Sequence, residues 1–395
     1  MAMENDMASR LKLIRIVTVP MSFRFLLWGQ LKWMKAHFDL IAVSSPDPDL
    51  EIVRSENDIP TVGIPMTRKI SPFSDLVSLV RMIYLFLKER PDIVHTHTPK
   101  AGLIGMVAAF ITRVPVRIHT VAGMPLMSAG PAKRRLLRMI EWLTYACSTV
   151  TLPNSKGLYT YIRDTLHIRL PQVQFLEPGS SSGIDLDYFD RTPAVMEIAS
   201  ILKASAAFSG DFVFVFAGRL VKDKGIEELA QAFQRLNADY PQTRLVVVGG
   251  FDSGLNPISA ETRQVLETHS HIHLAGHTSD VRPFLAASSA LVLPSYREGL
   301  PQIVLQGCAM GLPCIVTRIM GCEDLITEGE NGFLIPVKSS ESLYAAMKKM
   351  IENKHLYAAM QANARPSIQR FRCDSVWEGI LHVYQTELHR RKGTL

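Results

Sequence analysis

The sequence predicts an α/β protein built as two doubly wound halves, each a mostly parallel sheet with helices on both faces. Three observations carry that expectation. Short β-branched runs alternate with longer stretches of helical spacing, the pattern of repeated strand–helix–strand units. The alternation loosens once, around residues 190–210, and then resumes. A chain of 395 residues also suits two domains better than one.

In the first half, Leu13–Val19, Phe38–Val43, Thr61–Ile64, Ile93–His95, Val116–Thr120 and Thr149–Leu152 read as strands. Between them Ser74–Glu89 and Pro131–Cys147 have helical spacing and run beyond ten residues. After Asp190 an Ala- and Ser-rich helical piece ends at Ser209-Gly210. The second half then offers Phe212–Ala217, Arg244–Val248, His271–Leu274, Ala290–Leu293, Cys314–Thr317 and Phe333–Ile335 as strands. No period of 20–50 residues repeats, which excludes a solenoid.

Composition narrows the function. With 47% hydrophobic and 20% charged residues the chain can bury a large core without staples, and it is no disordered chain. Five cysteines without a CxxC pair fit a reducing compartment. No apolar stretch approaches the roughly 20 residues of a membrane span. Leu11–Val19 is cut by Lys12 and Arg15 with no small-residue cleavage site beyond, so no secretory signal is expected. The net charge of +6 is too mild for a nucleic-acid-coating protein, and no nucleic-acid partner is expected. Residues 1–195 hold 23 Lys and Arg against 17 Asp and Glu, and the remainder holds 20 of each. The whole positive excess therefore sits in the first half.

The densest chemistry lies in Leu291–Pro313, LVLPSYREGLPQIVLQGCAMGLP. A buried strand ends at Leu293-Pro294, a polar turn follows, and Glu298-Gly299 precede a helix with Pro301 near its first turn and Gly311 and Pro313 at its close. Glu298 thus stands at the carboxyl end of a parallel strand beside a helix N-terminus, where open α/β sheets bind ligands and where N–H groups favour an anion such as a diphosphate. At the end of the half's first strand comes Gly218-Arg219-Leu220-Val221-Lys222-Asp223-Lys224-Gly225. Gly218 permits close backbone approach, and Arg219 and Lys224 can converge on phosphate oxygens. Gly321-Cys322-Glu323-Asp324 and Glu330-Asn331-Gly332-Phe333 mark further strand-end turns.

Taken in order, these motifs resemble glycosyltransferase family 4, retaining enzymes of the GT-B fold, in which two Rossmann-like domains face a cleft. His95-Thr96-His97-Thr98-Pro99-Lys100-Ala101-Gly102 and Gly179-Ser180-Ser181-Ser182-Gly183-Ile184-Asp185 are similar to the subgroup that builds capsular polysaccharide and lipid-linked oligosaccharides. The resemblance implies an acceptor-binding domain over 1–195, a nucleotide-sugar-binding domain over 196–372, and a last helix in 373–395 that packs back on the first domain. It implies a UDP-sugar donor, a sugar on a polyprenyl-diphosphate carrier as acceptor, and no metal or other cofactor.

By the same resemblance Gly218, Arg219 and Lys224 hold the donor diphosphate, and Glu298 approaches the transferred sugar with the Gly299-Leu300 backbone lining sugar and phosphate. Fixed cations and a helix N-terminus would stabilise the departing diphosphate. Two departures stand out. The second Glu of the family's Glu-x7-Glu motif falls on Gln306, whose amide still offers one acceptor oxygen to a ribose or is simply packed. Where relatives carry a His or Arg in a strand-end turn, Thr120-Val121-Ala122-Gly123 has Ala122. His119, His95 and His97 are candidate acceptor contacts, with a core role as the alternative for His119, and Lys100 is a candidate contact for the acceptor diphosphate or a solvated side chain. His95 and His97 share a strand face, but no third metal ligand stands at a plausible spacing. No general base is assigned.

A lipid-linked acceptor implies an enzyme at the cytoplasmic membrane surface. Phe23–Trp28, Leu31–Lys35 and Pro131–Trp142, the last with Lys133, Arg134, Arg135 and Arg138, combine aromatic and basic residues in the manner of interfacial helices. Ordinary amphipathic helices on a sheet have the same look. The rivals are a UDP-sugar 2-epimerase of the same architecture and a non-catalytic nucleotide-sugar-binding subunit. A dinucleotide oxidoreductase lacks its GxGxxG turn after the first strand of either half.

Overall fold

The computed structural model describes residues 10–67, 71–205, 208, 212–252, 254 and 256–392. The chain divides into two compact units, one of residues 1–183 with 373–395, the other of residues 184–372. The boundary falls a dozen residues before the expected 195. Ile184, Leu186 and Phe189 pack into the core of the second unit, and Arg365 there donates to the carbonyls of Leu186 (2.7 Å) and Phe189 (3.0 Å). The Ser209-Gly210 end expected for the intervening helix lies outside the described residues; that helix spans Pro193–Ala204.

The first unit holds β1 (Lys12–Ile16), β2 (Asp39–Ser44), β3 (Thr61–Gly63), β4 (Ile93–His97), β5 (Val116–Val121) and β6 (Val150–Pro153), all parallel, in the order β3-β2-β1-β4-β5-β6. Successive residues of β1 serve opposite faces. Ile14 and Ile16 pack with Met82, Leu85 and Ile104 from the helices Pro72–Glu89 and Pro99–Ile111. Leu13 and Val17 pack with Phe23, Leu27, Leu31 and Met34 and with Trp377, Ile380 and Tyr384 of the last helix, Cys373–Lys392. That helix is therefore an integral layer of the first unit.

The second unit holds β7 (Phe212–Ala217), β8 (Thr243–Val248), β9 (Ile272–Gly276), β10 (Ala290–Leu293), β11 (Cys314–Thr317) and β12 (Gly332–Ile335), in the order β12-β11-β10-β7-β8-β9. Its central strands β7, β10 and β11 are buried along nearly their whole length, which is why they read as continuous apolar runs such as FVFVFA. Counted within each unit, both sheets follow one strand order, and both reverse direction between their first and fourth strands. In the second unit that switch point lies between β7 and β10, and the crevice beyond their carboxyl ends is where such sheets bind ligands. Among the described residues no helix is long and apolar enough to cross a membrane.

Candidate active site

The crevice of the second unit is shaped first by backbone. Gly225, at φ +69°, precedes the helix Ile226–Asp239, and a Cβ there would stand 2.1 Å from the Pro294 carbonyl oxygen after β10. Gly249, after β8, would bring a Cβ within 1.9 Å of the Gly218 carbonyl after β7. Gly321, after β11, would do the same to the Gly299 carbonyl at 1.9 Å. Four neighbouring strand ends are thus held backbone against backbone through three contacts, and each contact requires a residue with no side chain. Of these positions only Gly218 and Gly299 are among the site residues expected from the sequence; Gly225 and Gly321 lie in the strand-end turns named there, and Gly249 was not singled out.

Charged side chains are set on this frame. Lys224 Nζ donates to Glu298 Oε1 at 2.5 Å, and the Ser295 hydroxyl donates to the same oxygen at 2.6 Å. Ser295 is itself fixed, because the Thr317 hydroxyl donates to its carbonyl. Both members of the Lys224–Glu298 pair are largely shielded from water. Cys322 lies close beneath. Burial pushes its thiol well up, the Glu298 carboxylate adds to that, and the Lys224 ammonium opposes it. Arg219 stands more in the open and pairs with Asp252 at 3.0 Å. Asp223 braces the loop from behind: it accepts from the Arg297 guanidinium at 3.0 Å and its carbonyl accepts from the Tyr296 N–H at 2.8 Å. Tyr296 donates to Glu228 at 2.6 Å, and burial with that carboxylate raises its phenol.

Gly218, Arg219, Lys224, Glu298, Gly299 and Leu300 therefore gather at the ends of β7 and β10. Gln306 lies within the helix Gln302–Ala309, half-buried, and its amide has no hydrogen-bond partner among the described residues. Ser295, Asp252 and Thr317 belong to this constellation and were missed. Ser295 was legible inside PSYREG, whereas Asp252 and Thr317 come from other strand ends.

The candidate residues of the first unit are placed differently. His95 and His97 are fully buried, their rings stacked at 4.3 Å. His95 meets the Tyr384 hydroxyl at 2.5 Å through Nδ1 and the Thr120 hydroxyl at 2.8 Å through Nε2. His97 Nε2 accepts from Arg15, which also donates to Gln30 Oε1 at 2.5 Å and to Tyr384 at 3.3 Å. Burial, reinforced by the Arg15 charge, pushes both histidines well below their ordinary range and keeps them neutral. His119 is buried too, at 2.8 Å from the Thr96 hydroxyl, with its pKa brought down by burial to about 4. A Cβ on Gly102 would meet its ring at 2.4 Å. Lys100 pairs with Asp75. The acceptor contacts expected of His95, His97 and His119 thus give way to core roles, because each ring is enclosed and bonded within the unit. The interfacial role expected of Leu31–Lys35 is corrected likewise. Leu31 and Met34 are core, and Trp33 packs on Trp377 with ring centroids 5.8 Å apart.

Comparison with known proteins follows this division. Residues 198–367 match the family model described as glycosyl transferases group 1, and residues 27–179 match the glycosyl transferase 4-like domain. The chain is 33% identical over 384 residues to the capsular polysaccharide biosynthesis glycosyltransferase CapM of Staphylococcus aureus, covering 97% of this chain and 99% of that one. It is 30% identical over 310 residues to the Escherichia coli UDP-Gal:α-D-GlcNAc-diphosphoundecaprenol α-1,3-galactosyltransferase, covering 77% of each. Among solved structures, Anabaena HepE in complex with UDP superposes with a TM-score of 0.78 at 17% identity, covering 95% of this chain and all of that one.

Proposed function

This chain belongs to the group 1 glycosyl transferases, and from that membership we propose that it moves a sugar, with retention, from a UDP-sugar to a glycan on a polyprenyl-diphosphate carrier. The product is a bacterial surface polysaccharide, made at the cytoplasmic face of the membrane. The observation that carries the reading is the Lys224–Glu298 pair at the switch point of the second unit, in a chain similar to CapM along nearly its whole length.

The geometry supplies a division of labour. Arg219 and Lys224 stand where they can turn to a diphosphate, exchanging Asp252 and Glu298 for phosphate oxygens. As the glycosidic bond breaks, negative charge grows on the UDP leaving group, and these two cations balance it without a metal. Glu298, held by Ser295, then faces the sugar, where its carboxylate can accept hydrogen bonds from the hydroxyls and offset oxocarbenium-like charge. The departing phosphate takes the acceptor proton, so that front-face transfer needs no separate base. Gln306 offers its amide oxygen to the ribose. The first unit takes the acceptor; its buried histidines hold β1, β4 and β5 together rather than touching substrate.

The test is to incubate the protein with a panel of UDP-sugars and lipid-linked acceptors in the presence of a chelator. UDP release with a lengthened glycan is expected. Acceptor-independent interconversion of the sugar would replace this reading with an epimerase, and tight binding without turnover across the panel would replace it with a binding subunit.

A further inference from the structure

We infer that the helices Pro72–Glu89 and Pro131–Cys147 of the first unit form a docking face for an anionic phospholipid bilayer, apolar along one helix and arginine-rich along the other. A helix that covers a sheet in water ordinarily turns a polar side outward. Pro72–Glu89 does not. Ser78, Met82, Leu85 and Phe86 point to the core, while Phe73 (83% exposed), Leu76, Val80, Tyr84 (70%) and Leu87 recur at three- and four-residue steps on the solvent side. Pro131–Cys147 presents Leu136, Met139 (61%), Trp142 and Leu143 in the same way. Between them runs Pro99–Ile111, in contact with both, ending in exposed Phe110 and Ile111. An uncovered apolar surface extending over neighbouring helices marks an interaction site.

Charge selects the partner. Arg81, Lys88, Lys133, Arg134, Arg135 and Arg138 stand exposed among these apolar residues. The three helices hold three carboxylates, and among the described residues none is free at the surface: Asp75 pairs with Lys100, Glu89 with Lys12, and Glu141 is buried. Arg134, Arg135 and Arg138 also line a groove of about 530 Å³ with Thr165 and Leu166, and Arg134 is steadied there by the Tyr161 hydroxyl at 2.8 Å. A guanidinium cluster of this kind fits phosphate headgroups, while the neighbouring leucine, methionine and tryptophan side chains suit the headgroup–acyl boundary. The helices Met21–Leu26 and Gln30–Lys35 pack on the opposite side of the sheet, under the last helix, so they take no part in this face.

The inference extends the reading of a lipid-borne acceptor, but its test reads binding alone. The full-length protein is sedimented with vesicles of phosphatidylcholine and with vesicles that also contain phosphatidylglycerol. It is expected to pellet with the second and to be released by salt. Replacing three cations as Arg134→Gln, Arg135→Gln and Arg138→Gln should lower partitioning about a hundredfold, at roughly fivefold for each cation near an anionic surface. Val80→Asp with Leu87→Asp should abolish pelleting even at low salt. Both variants should keep the wild-type melting temperature and, with a short water-soluble acceptor, the wild-type rate of UDP release. Wild-type protein that stays in the supernatant, or variants that pellet as well as wild type, would overturn the inference. So would a wild-type dimer that Val80→Asp with Leu87→Asp dissociates while vesicles are ignored, which would make this face a contact between two copies.

Discussion

Gly321→Ala tests whether backbone contact between strand ends sets the geometry of the site. Gly321 has φ +78°, and a Cβ there would lie 1.9 Å from the Gly299 carbonyl oxygen and 3.2 Å from the Leu300 Cα. Ordinary contact begins near 3.4 Å, so the Gly299 carbonyl must retreat by about 1.5 Å. Glu298 is the preceding residue, and its carboxylate would move with that peptide away from Lys224 and Ser295. A displacement on the order of 1 Å in a positioning element lowers turnover roughly a hundredfold, or about 2.7 kcal/mol of barrier. The left-handed backbone adds about 1 kcal/mol of lost stability. Gly311→Ala provides the control: its φ is +75°, yet nothing lies within 4 Å of the added carbon. It should therefore lose the same stability and keep full turnover. UDP release under saturating donor, with thermal melting on both variants, separates the two effects. If Gly321→Ala turns over like wild type, the strand-end contact does not position Glu298 and the argument fails.

Three further outcomes are expected. Lys224→Ala should lower transfer by about 3 kcal/mol of barrier with melting unchanged, and unchanged UDP release would remove Lys224 from the diphosphate. Gln306→Glu should keep or raise activity with a UDP-sugar, because a carboxylate accepts from ribose hydroxyls better than an amide; inactivation would rule out a simple ribose contact. Burial raises the Glu141 carboxyl to about 7, so the folded state holds a proton that the unfolded chain has released above its usual range near 4.5. Its contribution is thus favourable at low pH and is lost as pH climbs to 7, by about 3 kcal/mol in all. Urea unfolding of wild type and Glu141→Gln at pH 5 and pH 8 should diverge by that order in favour of the variant at the higher pH; parallel curves would mean that Glu141 is not held protonated.

The strands were legible because each one buried on both faces is an unbroken apolar run: Phe212–Ala217, Ala290–Leu293 and Cys314–Thr317 stand where the sequence puts them. The candidate site of the second unit was legible for a related reason. Its cations, its glutamate and its glycines all sit within a few residues of a strand end, so local punctuation marks them. The enclosure of the histidines was not legible because their partners are remote. Tyr384, which closes His95, is 289 residues away and belongs to a helix whose place against β1 no local pattern reveals. The exposed stripe of Pro72–Glu89 was hidden for the opposite reason. A helix apolar on both sides reads as a buried one, and only the packing shows which side is left uncovered.

The two units make the distinction between fold and chemistry concrete. Their sheets share one strand order. In the first, a polar ladder of Arg15, His95, His97 and Thr120 crosses the three central strands, closed from outside by Tyr384 and Gln30. Arg15 has no carboxylate in that ladder; its charge is met by the neutral oxygens of Gln30 and Tyr384 and by a histidine nitrogen. The histidines must then stay neutral, since a second buried cation would face Arg15 with nothing to balance it. Titrating groups enclosed in this way hold strands together but cannot exchange protons or partners with a substrate. In the second unit the corresponding strands β7, β10 and β11 carry no charged side chain, and Arg219, Lys224 and Glu298 stand past the carboxyl ends of β7 and β10. There Lys224 and Glu298 neutralise each other in a pair that, in the proposed function, parts when a diphosphate and a sugar offer each a better partner. The strand order is common to both units; what differs is whether the charged and histidine side chains fall within the corresponding central strands or just past their ends.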